Sequence, residues 1–399
     1  MSFLNDRIAS VKPSATLAVK EKASALRAEG RDIINLGPGE PDIDTPDHIK
    51  EAAKKALDQG KTKYLAVAGL PELKEAIADK FARENNIPTQ ASDVIVTAGG
   101  KQALFECFNV CLQPGDEVII PAPYWVSYPE MVRLCGAVPK ILPSRPENAY
   151  KLTPQELEAA ITDKTKFFVL NSPSNPSGAA YTELEQKALG EVLKNKNVVT
   201  ISDEVYEKIV FDGFEFKSFA AVNKDIADRV VTINACSKTY SMTGWRLGYA
   251  TGPAEIIKAM SRHQGQSTSN ACSIAQYAAL AALTGTHDFL DGLLGSYTRR
   301  RKYVCDQIDQ SPHLTIPQRP EGAFYVFARI ENIIGRSFQG KKINNSTDFC
   351  EFLLEQASVA VVPGGAFGDD AAFRISYAVS DEVIERAFFA MSAALNELE

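Results

Sequence analysis

The pattern of hydrophobic and polar residues changes along the chain, and its changes predict where helices and strands lie. The first part of the sequence predicts helices over residues 14–29, 46–58 and 71–85. Ser14 or Thr16 can cap the first of them, because short hydroxyl side chains accept from free amides at a helix start.

From about residue 93 onward, short β-rich runs alternate with helical segments. The candidate strands are residues 94–97, 117–120, 166–170, 198–202, 229–233 and 247–251. Helical patterns separate several of these runs, at residues 101–112, 126–135, 182–195 and 253–263. Such alternation is typical of a mostly parallel sheet with helices on both faces.

A second αβ region follows a long helical stretch over residues 273–309. It contains candidate strands at residues 323–329, 358–362 and 372–377, and candidate helices at 347–356 and 381–398. The predicted fold class is therefore α/β, with a mostly parallel central sheet flanked by helices and a smaller αβ domain. We expect a large domain over residues 49–300 and a small domain built from both termini, residues 1–48 and 301–399.

Composition and charge narrow the classes of partner. The 43 Lys and Arg residues against 50 Asp and Glu give a net charge of −7, which argues against a nucleic-acid or anionic-membrane binder. No stretch approaches the roughly 18 apolar residues that a membrane helix needs. The seven scattered cysteines favour reduced interior thiols, and the N-terminus has no signal-peptide pattern, so we expect a cytoplasmic protein. The four isolated histidines give no reason to predict a metal site.

Polar residues collect where the predicted strands end, which is where open α/β sheets bind ligands. The strand at 94–97 runs into Gly99, Gly100 and Lys101 before a helix, an arrangement that suits an anion. A tight turn needs glycine for steric reasons alone, and that explanation is about equally good. Trp125 follows the next strand and could stack on a planar ring, although large aromatics at strand ends usually pack in the core.

The three following strands end in groups with more specific chemistry. Asn175 lies in a loop made rigid by prolines, and Asp203 and Tyr206 come directly after a buried strand. Asp203 could pair with a cationic ring nitrogen, although an acid there is often only a helix cap. Lys238 lies just beyond the next strand, where removal from water would lower its pKa and make it nucleophilic toward an aldehyde. Arg246 can bind a phosphate with two parallel hydrogen bonds.

Taken together, these residues supply every group that pyridoxal 5′-phosphate requires. They offer a phosphate cradle, a stacking aromatic, an acid for the pyridine nitrogen, a donor for the ring oxygen and a lysine for the aldehyde. Coincidence across five strand ends is a poor explanation, so we predict a pyridoxal-phosphate enzyme.

The chain resembles the fold-type I pyridoxal-phosphate aminotransferases, and in particular the bacterial aspartate aminotransferase branch of class I. The resemblance extends from about Lys12 to the C-terminus. Its most specific segments are residues 12–16, 39–42, 61–64, 99–104, 123–128, 175–178, 203–206, 237–238, 242–249 and 373–377.

The resemblance implies a role for each residue around the cofactor. Lys238 would be the Schiff-base lysine and the general base, and Asp203 would keep the pyridine nitrogen protonated. Asn175 and Tyr206 would bond the ring oxygen, while Trp125 would stack on the ring. The phosphate would be surrounded by Gly99, Gly100, Lys101, Ser237 and Arg246. Tyr64 would reach the phosphate of a neighbouring subunit, which implies a homodimer.

For the substrate, the resemblance implies that Arg374 clamps the α-carboxylate with help from Gly39, beside Trp125 and Asn175. In this branch a lysine in the glycine turn recognises the distal carboxylate with hydroxyls of the first helix, which here are Lys101, Ser14 and Thr16. Lys12 could offer a second cation. Ala235 stands where the family usually has Gly or Ser, so one phosphate hydrogen bond is missing or comes from Ser237.

The expected activity is transfer of the amino group of L-aspartate, or a similar amino acid, to 2-oxoglutarate. An aminotransferase for aromatic amino acids or for prephenate and glutamate stays open, and so does a pyridoxal-phosphate lyase. An effector-sensing domain of a transcription regulator is disfavoured, because there is no room for a basic helix-turn-helix module before Lys12. A nucleotide-binding protein is disfavoured because the glycine turn fits neither nucleotide-binding motif.

Overall fold

The structure, a computed structural model, describes residues 4–11 and 15–399. Its helices are α1 (Asp6–Ala9), α2 (Ala15–Ala28), α3 (Asp47–Asp58), α4 (Pro71–Glu84), α5 (Gly100–Cys111), α6 (Ser127–Leu134), α7 (Pro154–Ala160), α8 (Glu183–Leu193), α9 (Phe219–Val222), α10 (Cys236–Thr239), α11 (Ala254–Ser267), α12 (Ser273–Thr284), α13 (Phe289–Asp309), α14 (Ser346–Gln356) and α15 (Asp381–Leu395). Its strands are β1 (Ile34–Asn35), β2 (Val94–Thr97), β3 (Glu117–Ala122), β4 (Val138–Pro143), β5 (Thr165–Asn171), β6 (Val199–Asp203), β7 (Val230–Ala235), β8 (Gly248–Thr251), β9 (Tyr325–Arg329), β10 (Ser337–Phe338), β11 (Lys341–Lys342), β12 (Val359–Ala360), β13 (Val362–Pro363) and β14 (Ala372–Ser376).

Seven strands form the central sheet, in the order β2-β8-β7-β6-β5-β3-β4. All its strands run parallel except β8, which is antiparallel to both of its neighbours. Two buried clusters pack on this sheet, one with α3, α4 and α12 and the other with α5, α6 and α11. The predicted α/β fold with a mostly parallel sheet flanked by helices is confirmed.

A three-stranded antiparallel sheet, β13-β14-β9, forms the second αβ region. The parallel pair β1 and β12 joins the N-terminal part of the chain to this region. Its hydrophobic core also takes in Tyr206, Ile209 and Phe211 from the segment after β6. The division into a large domain (residues 49–300) and a small domain (residues 1–48 and 301–399) stays a prediction. Its boundary would have to cross this core, because the core contains residues of both predicted domains.

Edge strand β4 is the central strand that the hydrophobic pattern did not predict. It contains Pro139 and Pro143, and prolines lower the expectation of a strand because they donate no ladder hydrogen bond. Val138 at its start is 49% exposed, so the strand lacks the buried apolar run of its neighbours. An edge position tolerates both features, since β3 is the only strand that pairs with β4 in the described part of the chain.

A buried polar network ties α4 to the segment that follows β6. The Lys80 ammonium pairs with Glu207 and donates to Asn85 Oδ1 at 2.7 Å. Glu204 accepts from Ser202 at 2.8 Å and from Ser218 at 2.6 Å. Burial raises the pKa of Glu204 to about 7, against the opposing effect of these hydroxyl donors. The network holds the backbone on both sides of Val205, next to the end of β6.

In the part of the chain that the structure describes, no helix is long and apolar enough to cross a membrane.

Candidate active site

A cavity of about 420 Å³ lies at the carboxyl ends of β3, β5, β6 and β7 and at the start of α5. It brings together most of the predicted site residues: Gly39, Gly100, Lys101, Trp125, Asn175, Asp203, Tyr206, Ser237, Lys238, Arg246 and Arg374. Ala235 also lines it. Their roles remain predictions, but their assembly at one cavity follows from the parallel sheet, whose strand ends meet at a single edge.

Lys238 lies in the short helix α10, immediately after β7. Its ammonium donates to the carbonyl oxygen of Gly39 and lies 5.8 Å from the centre of the Phe324 ring. Removal from water lowers the pKa of Lys238 to about 8, and the opposing charges of Glu40 and Asp203 only partly restore it. A larger fraction of this amine is therefore neutral near pH 8 than for a lysine in water, and the neutral amine is the nucleophilic form.

Asp203, the last residue of β6, is a buried carboxylate with a dedicated donor. Tyr128 donates its hydroxyl proton to Asp203 Oδ2 at 2.6 Å, and Asn171 Nδ2 donates to the Asp203 carbonyl at 3.0 Å. Burial raises the pKa of Asp203 to about 6, and the Tyr128 hydrogen bond opposes this rise. The carboxylate is ionised above that pH and can hold a protonated ring nitrogen.

Arg374 projects from β14 and is 2% exposed. Its Nη1 donates to Asn175 Oδ1 at 2.8 Å and its Nη2 donates to the Gly37 carbonyl at 2.6 Å. Its Nε is buried and has no hydrogen-bond partner among the described residues. A buried guanidinium with an unused donor fits an anionic ligand, because an unpaired buried polar group is costly.

The glycine turn before α5 forms the other end of the cavity. Gly99 has φ +87°, and a Cβ there would lie 2.7 Å from Arg246 Nη2. A Cβ at Gly248 would lie 2.3 Å from the Gly100 amide nitrogen. Strand β8 can therefore lie this close to the turn only because residue 248 is glycine. Among the described residues no side chain caps the start of α5, so its first amides, beside Arg246 and Ser237, could bind an anion such as a phosphate.

Lys101 lies between this cavity and a second one of about 650 Å³, whereas Trp125 lines only the first. The Lys101 ammonium is 5.1 Å from the centre of the Trp125 ring. Burial lowers the pKa of Lys101, and the neighbouring Arg246 charge adds to the effect. Lys101 and Arg246 line both cavities.

Five predicted site residues are not among those that line the cavity. Gly99 lies in the turn next to Gly100, which does line it. Tyr64 is 89% exposed and does not line it. Lys12 and Ser14 lie outside the described residues, and so does the side chain of Thr16. No group of three or more His, Cys, Asp or Glu side chains within residues 4–11 and 15–399 could hold a metal ion.

Sequence reasoning missed three side chains that organise the cavity: Tyr128, Asn171 and Tyr325. Tyr128 and Asn171 lie near two of the strand ends that suggested a ligand site. A single sequence does not show that their side chains contact Asp203. Tyr325 lines the cavity and contacts Tyr206, with 2.9 Å between the two hydroxyl oxygens. Aromatic residues in a buried strand are normally core residues, so its position gave no functional signal.

The family described as aminotransferase class I and II matches residues 31–390 of this chain. The chain belongs to this family. An aspartate/prephenate aminotransferase of Cereibacter sphaeroides is 54% identical over 389 residues, which cover 97% of each chain. A probable aspartate/prephenate aminotransferase of Rhizobium leguminosarum bv. phaseoli is 51% identical, with the same coverage.

Solved structures agree with these relatives. The aspartate aminotransferase of Rhizobium meliloti is 45% identical, with a TM-score of 0.97 over the whole of both chains. The Thermus thermophilus aspartate aminotransferase with maleate is 43% identical, with a TM-score of 0.93 over 99% of this chain and 100% of that one. The expected membership of the class I aminotransferases is confirmed, and the chain is an aminotransferase. Membership of this family implies pyridoxal phosphate as the cofactor and amino acids and 2-oxo acids as substrates.

The Tyr128 hydroxyl offers a test of how Asp203 is kept ionised. Tyr128→Phe removes a hydrogen bond that lowers the pKa of Asp203, so that pKa should rise from about 6 by about one unit. We expect the affinity of the apoprotein for pyridoxal phosphate to be lost at a correspondingly higher pH as the solution is acidified. Measuring in a Lys238→Ala background removes the titration of the lysine from the profile.

Tyr181→Phe is the matched control, because it also deletes a buried tyrosine hydroxyl, which here accepts from the Leu152 amide at 2.7 Å. It should leave the pH midpoint unchanged. An unchanged midpoint in Tyr128→Phe would mean that this hydrogen bond does not govern Asp203.

Proposed function

We propose that this aminotransferase binds pyridoxal phosphate at the 420 Å³ cavity and uses it to transfer the amino group of L-aspartate to 2-oxoglutarate. The observation that carries the proposal is the convergence on one cavity of a lysine with pKa about 8, a buried aspartate and a buried arginine with a free donor. The names of relatives 51–54% identical support aspartate as donor and favour prephenate as a second acceptor.

The residues at the cavity fit the cofactor. The unfilled amides of α5, with Ser237 and Arg246, suit its phosphate, and Asp203 suits its ring nitrogen. Trp125 offers a ring face, and Asn175 and Tyr206 offer donors for the ring oxygen. When bound, pyridoxal phosphate supplies an aldehyde that an amine can attack and a ring that withdraws electrons from the substrate's α-carbon.

The protein's own groups then hold the substrate and move its proton. Arg374 binds the α-carboxylate through the face that its protein partners leave free, which directs the amino group toward Lys238. Lys238, whose lowered pKa of about 8 leaves a larger share of its amine neutral than for a lysine in water, would act as the base for the α-proton. Asp203 keeps a positive ring nitrogen in place, because a buried carboxylate gains most from a cationic partner.

Lys101 is the group that we propose for the distal carboxylate of aspartate. Its side chain is partly desolvated beside another cation, so an arriving carboxylate relieves an unfavourable arrangement. Lys101 also lies next to the amides and side chains that we propose for the phosphate. If it binds the phosphate, its removal should weaken cofactor binding; if it binds the distal carboxylate of aspartate, cofactor affinity should change little.

We further propose that the active unit is a homodimer in which Tyr64 reaches the phosphate of the partner subunit. Tyr64 is 89% exposed, is next to the partly buried Leu65 and does not line its own cavity, which supports this arrangement. Exposed large aromatic residues are enriched where proteins meet other chains.

A single-turnover spectrum tests the reaction. Purified protein is mixed in turn with aspartate, phenylalanine and arogenate, without any 2-oxo acid. We expect the visible band of the lysine-bound cofactor to bleach fastest with aspartate. Lys238→Ala cannot form that band, so its reaction is followed as the appearance of the amine form of the cofactor, which should be about 10²–10⁴-fold slower than in the wild type because the proton transfer loses its base.

Each alternative has its own signature in that experiment. If arogenate also bleaches the band quickly, this supports prephenate as an acceptor, because arogenate is the amino acid that prephenate becomes on accepting the amino group. Bleaching with phenylalanine but not with aspartate keeps the aminotransferase and overturns the substrate. Absence of any visible band after added pyridoxal phosphate overturns the cofactor.

Lys101→Met tests the assignment of the distal carboxylate, since it keeps the length of the side chain over Trp125 and removes its charge. We expect the bleaching rate at low aspartate to fall about 10- to 100-fold, with little change for phenylalanine. A preference for aspartate that survives the change would refute the assignment. An equal loss for all donors, with weaker cofactor binding, would place Lys101 at the phosphate instead.

Hybrid dimers test the role of Tyr64. A Tyr64→Ala subunit is combined with a Lys238→Ala subunit, so that only one cavity keeps its lysine. If Tyr64 acts across the interface, that cavity receives an intact Tyr64 from the other subunit and recovers wild-type cofactor affinity. If recovery is absent although hybrids form, Tyr64 does not act in the neighbouring site.

A further inference from the structure

Tyr325 is a fully buried residue of β9 that contacts three of the residues around the cavity. Its hydroxyl oxygen is 2.9 Å from that of Tyr206. The Arg374 guanidinium lies 4.5 Å from the centre of its ring. A Cβ on Gly39 would come within 2.8 Å of its hydroxyl.

We propose that Tyr325 is a positioning residue that joins the donor for the cofactor's ring oxygen, Tyr206, to the clamp for the substrate carboxylate, Arg374. This inference rests on the proposed function, and adds to it a residue that acts through two others. It has two separable parts, one carried by the hydroxyl and one by the ring.

The hydroxyl part follows from counting protons. Tyr206 has a single hydroxyl proton, and a hydrogen bond to the ring oxygen of the cofactor uses it. The Tyr206 oxygen must then accept, and the described structure places the Tyr325 hydroxyl at hydrogen-bonding distance to donate. Hydrogen bonds in such a chain strengthen one another, so the Tyr325 donor makes Tyr206 a better donor.

The ring part follows from the surroundings of Arg374. The guanidinium lies 4.5 Å from the centre of the Tyr325 ring and 5.0 Å from the centre of the Phe367 ring. Contact with both rings limits its movement, while Asn175 and Gly37 hold its two terminal nitrogens. A guanidinium held in this way loses little freedom when it binds a carboxylate.

The pairing of β9 with β14 builds this contact into the sheet. Tyr325 pairs with Ser376, and Arg374 lies two residues before Ser376 on the same strand. Residues in this diagonal relation share a face of an antiparallel pair and are within reach of long and aromatic side chains. The same geometry explains Gly39, since a side chain there would displace the Tyr325 hydroxyl.

Two substitutions separate the two parts. Tyr325→Phe removes the hydroxyl and keeps the ring under Arg374, whereas Tyr325→Leu removes both. The readouts are the pH midpoint of the visible absorbance change of the bound cofactor and the dissociation constant of maleate, a dicarboxylate without an amino group.

For Tyr325→Phe we expect the pH midpoint to rise by about 0.4 to 1 unit, because the deprotonated cofactor loses part of its stabilisation by Tyr206. Maleate affinity should change less than about twofold, since the ring still supports Arg374. Tyr325→Leu should show the same shift and in addition bind maleate about twofold to thirtyfold more weakly.

Coupling to Tyr206 decides whether the hydroxyl acts as proposed. The double variant Tyr206→Phe/Tyr325→Phe should have the midpoint of Tyr206→Phe alone, because Tyr325 then has nothing to act through. Additive shifts would refute the hydroxyl part, and unchanged maleate affinity in Tyr325→Leu would refute the ring part.

Tyr297→Phe is the matched control for repacking. Tyr297 is buried against Phe324 in the same aromatic cluster, with ring centres 5.6 Å apart, and its hydroxyl has no hydrogen-bond partner among the described residues. It should leave both readouts unchanged, and a shift equal to that of Tyr325→Phe would refute the inference. A wild-type protein without a visible band would instead overturn the proposed function, so the two failures are distinct.

Discussion

Desolvation of charged side chains is the constraint on which the rest of this cavity depends. Lys238, Asp203 and Arg374 are all removed from water, and removal from water disfavours the charged form of each. For Lys238 this penalty is useful, because a pKa of about 8 leaves more of the amine free to react. For Asp203 and Arg374 the same penalty is offset by donors and acceptors that the fold supplies, and the remaining deficit makes each receptive to a charged ligand.

The scaffold supplies those partners from elements far apart in the chain. Tyr128 of α6 reaches Asp203 at the end of β6, and Asn175 from the loop after β5 reaches Arg374 of β14. Behind them the buried Lys80–Glu207 pair and its hydrogen bonds fix the segment after β6. Removing one partner of such a buried pair typically costs about 3–5 kcal/mol, whereas the intact network favours one arrangement of the backbone that carries Asp203 and Tyr206.

Much of this arrangement could be predicted from the sequence, because strand ends carry the chemistry in an open α/β sheet. The buried runs that lead to Asp203 and Lys238 are strongly apolar, so both strands were predicted to within about two residues, although Asp203 is the last residue of β6 and does not follow it. Tyr325 could not be identified in this way, since its function depends on a contact with Arg374, 49 positions along the chain, and on the register of β9 against β14. The edge strand β4 was missed because its prolines and exposed valine satisfy no simple periodic pattern.

In the proposed function, different residues around the cavity bind different parts of the substrate, and this determines which of them can distinguish one amino acid from another. Arg374 and Lys238 act on the carboxylate and amine that all amino acids share, and their positions are fixed by strands and buried partners. Discrimination must therefore come from groups that a side chain meets beyond the α-carbon, and Lys101 lies in that direction, between two cavities. Lys101, beside a second and largely apolar cavity, can pair with a short dicarboxylate, while the space beside it admits a larger acid. The same site can thus serve substrates of different size, provided that each presents a second carboxylate to Lys101.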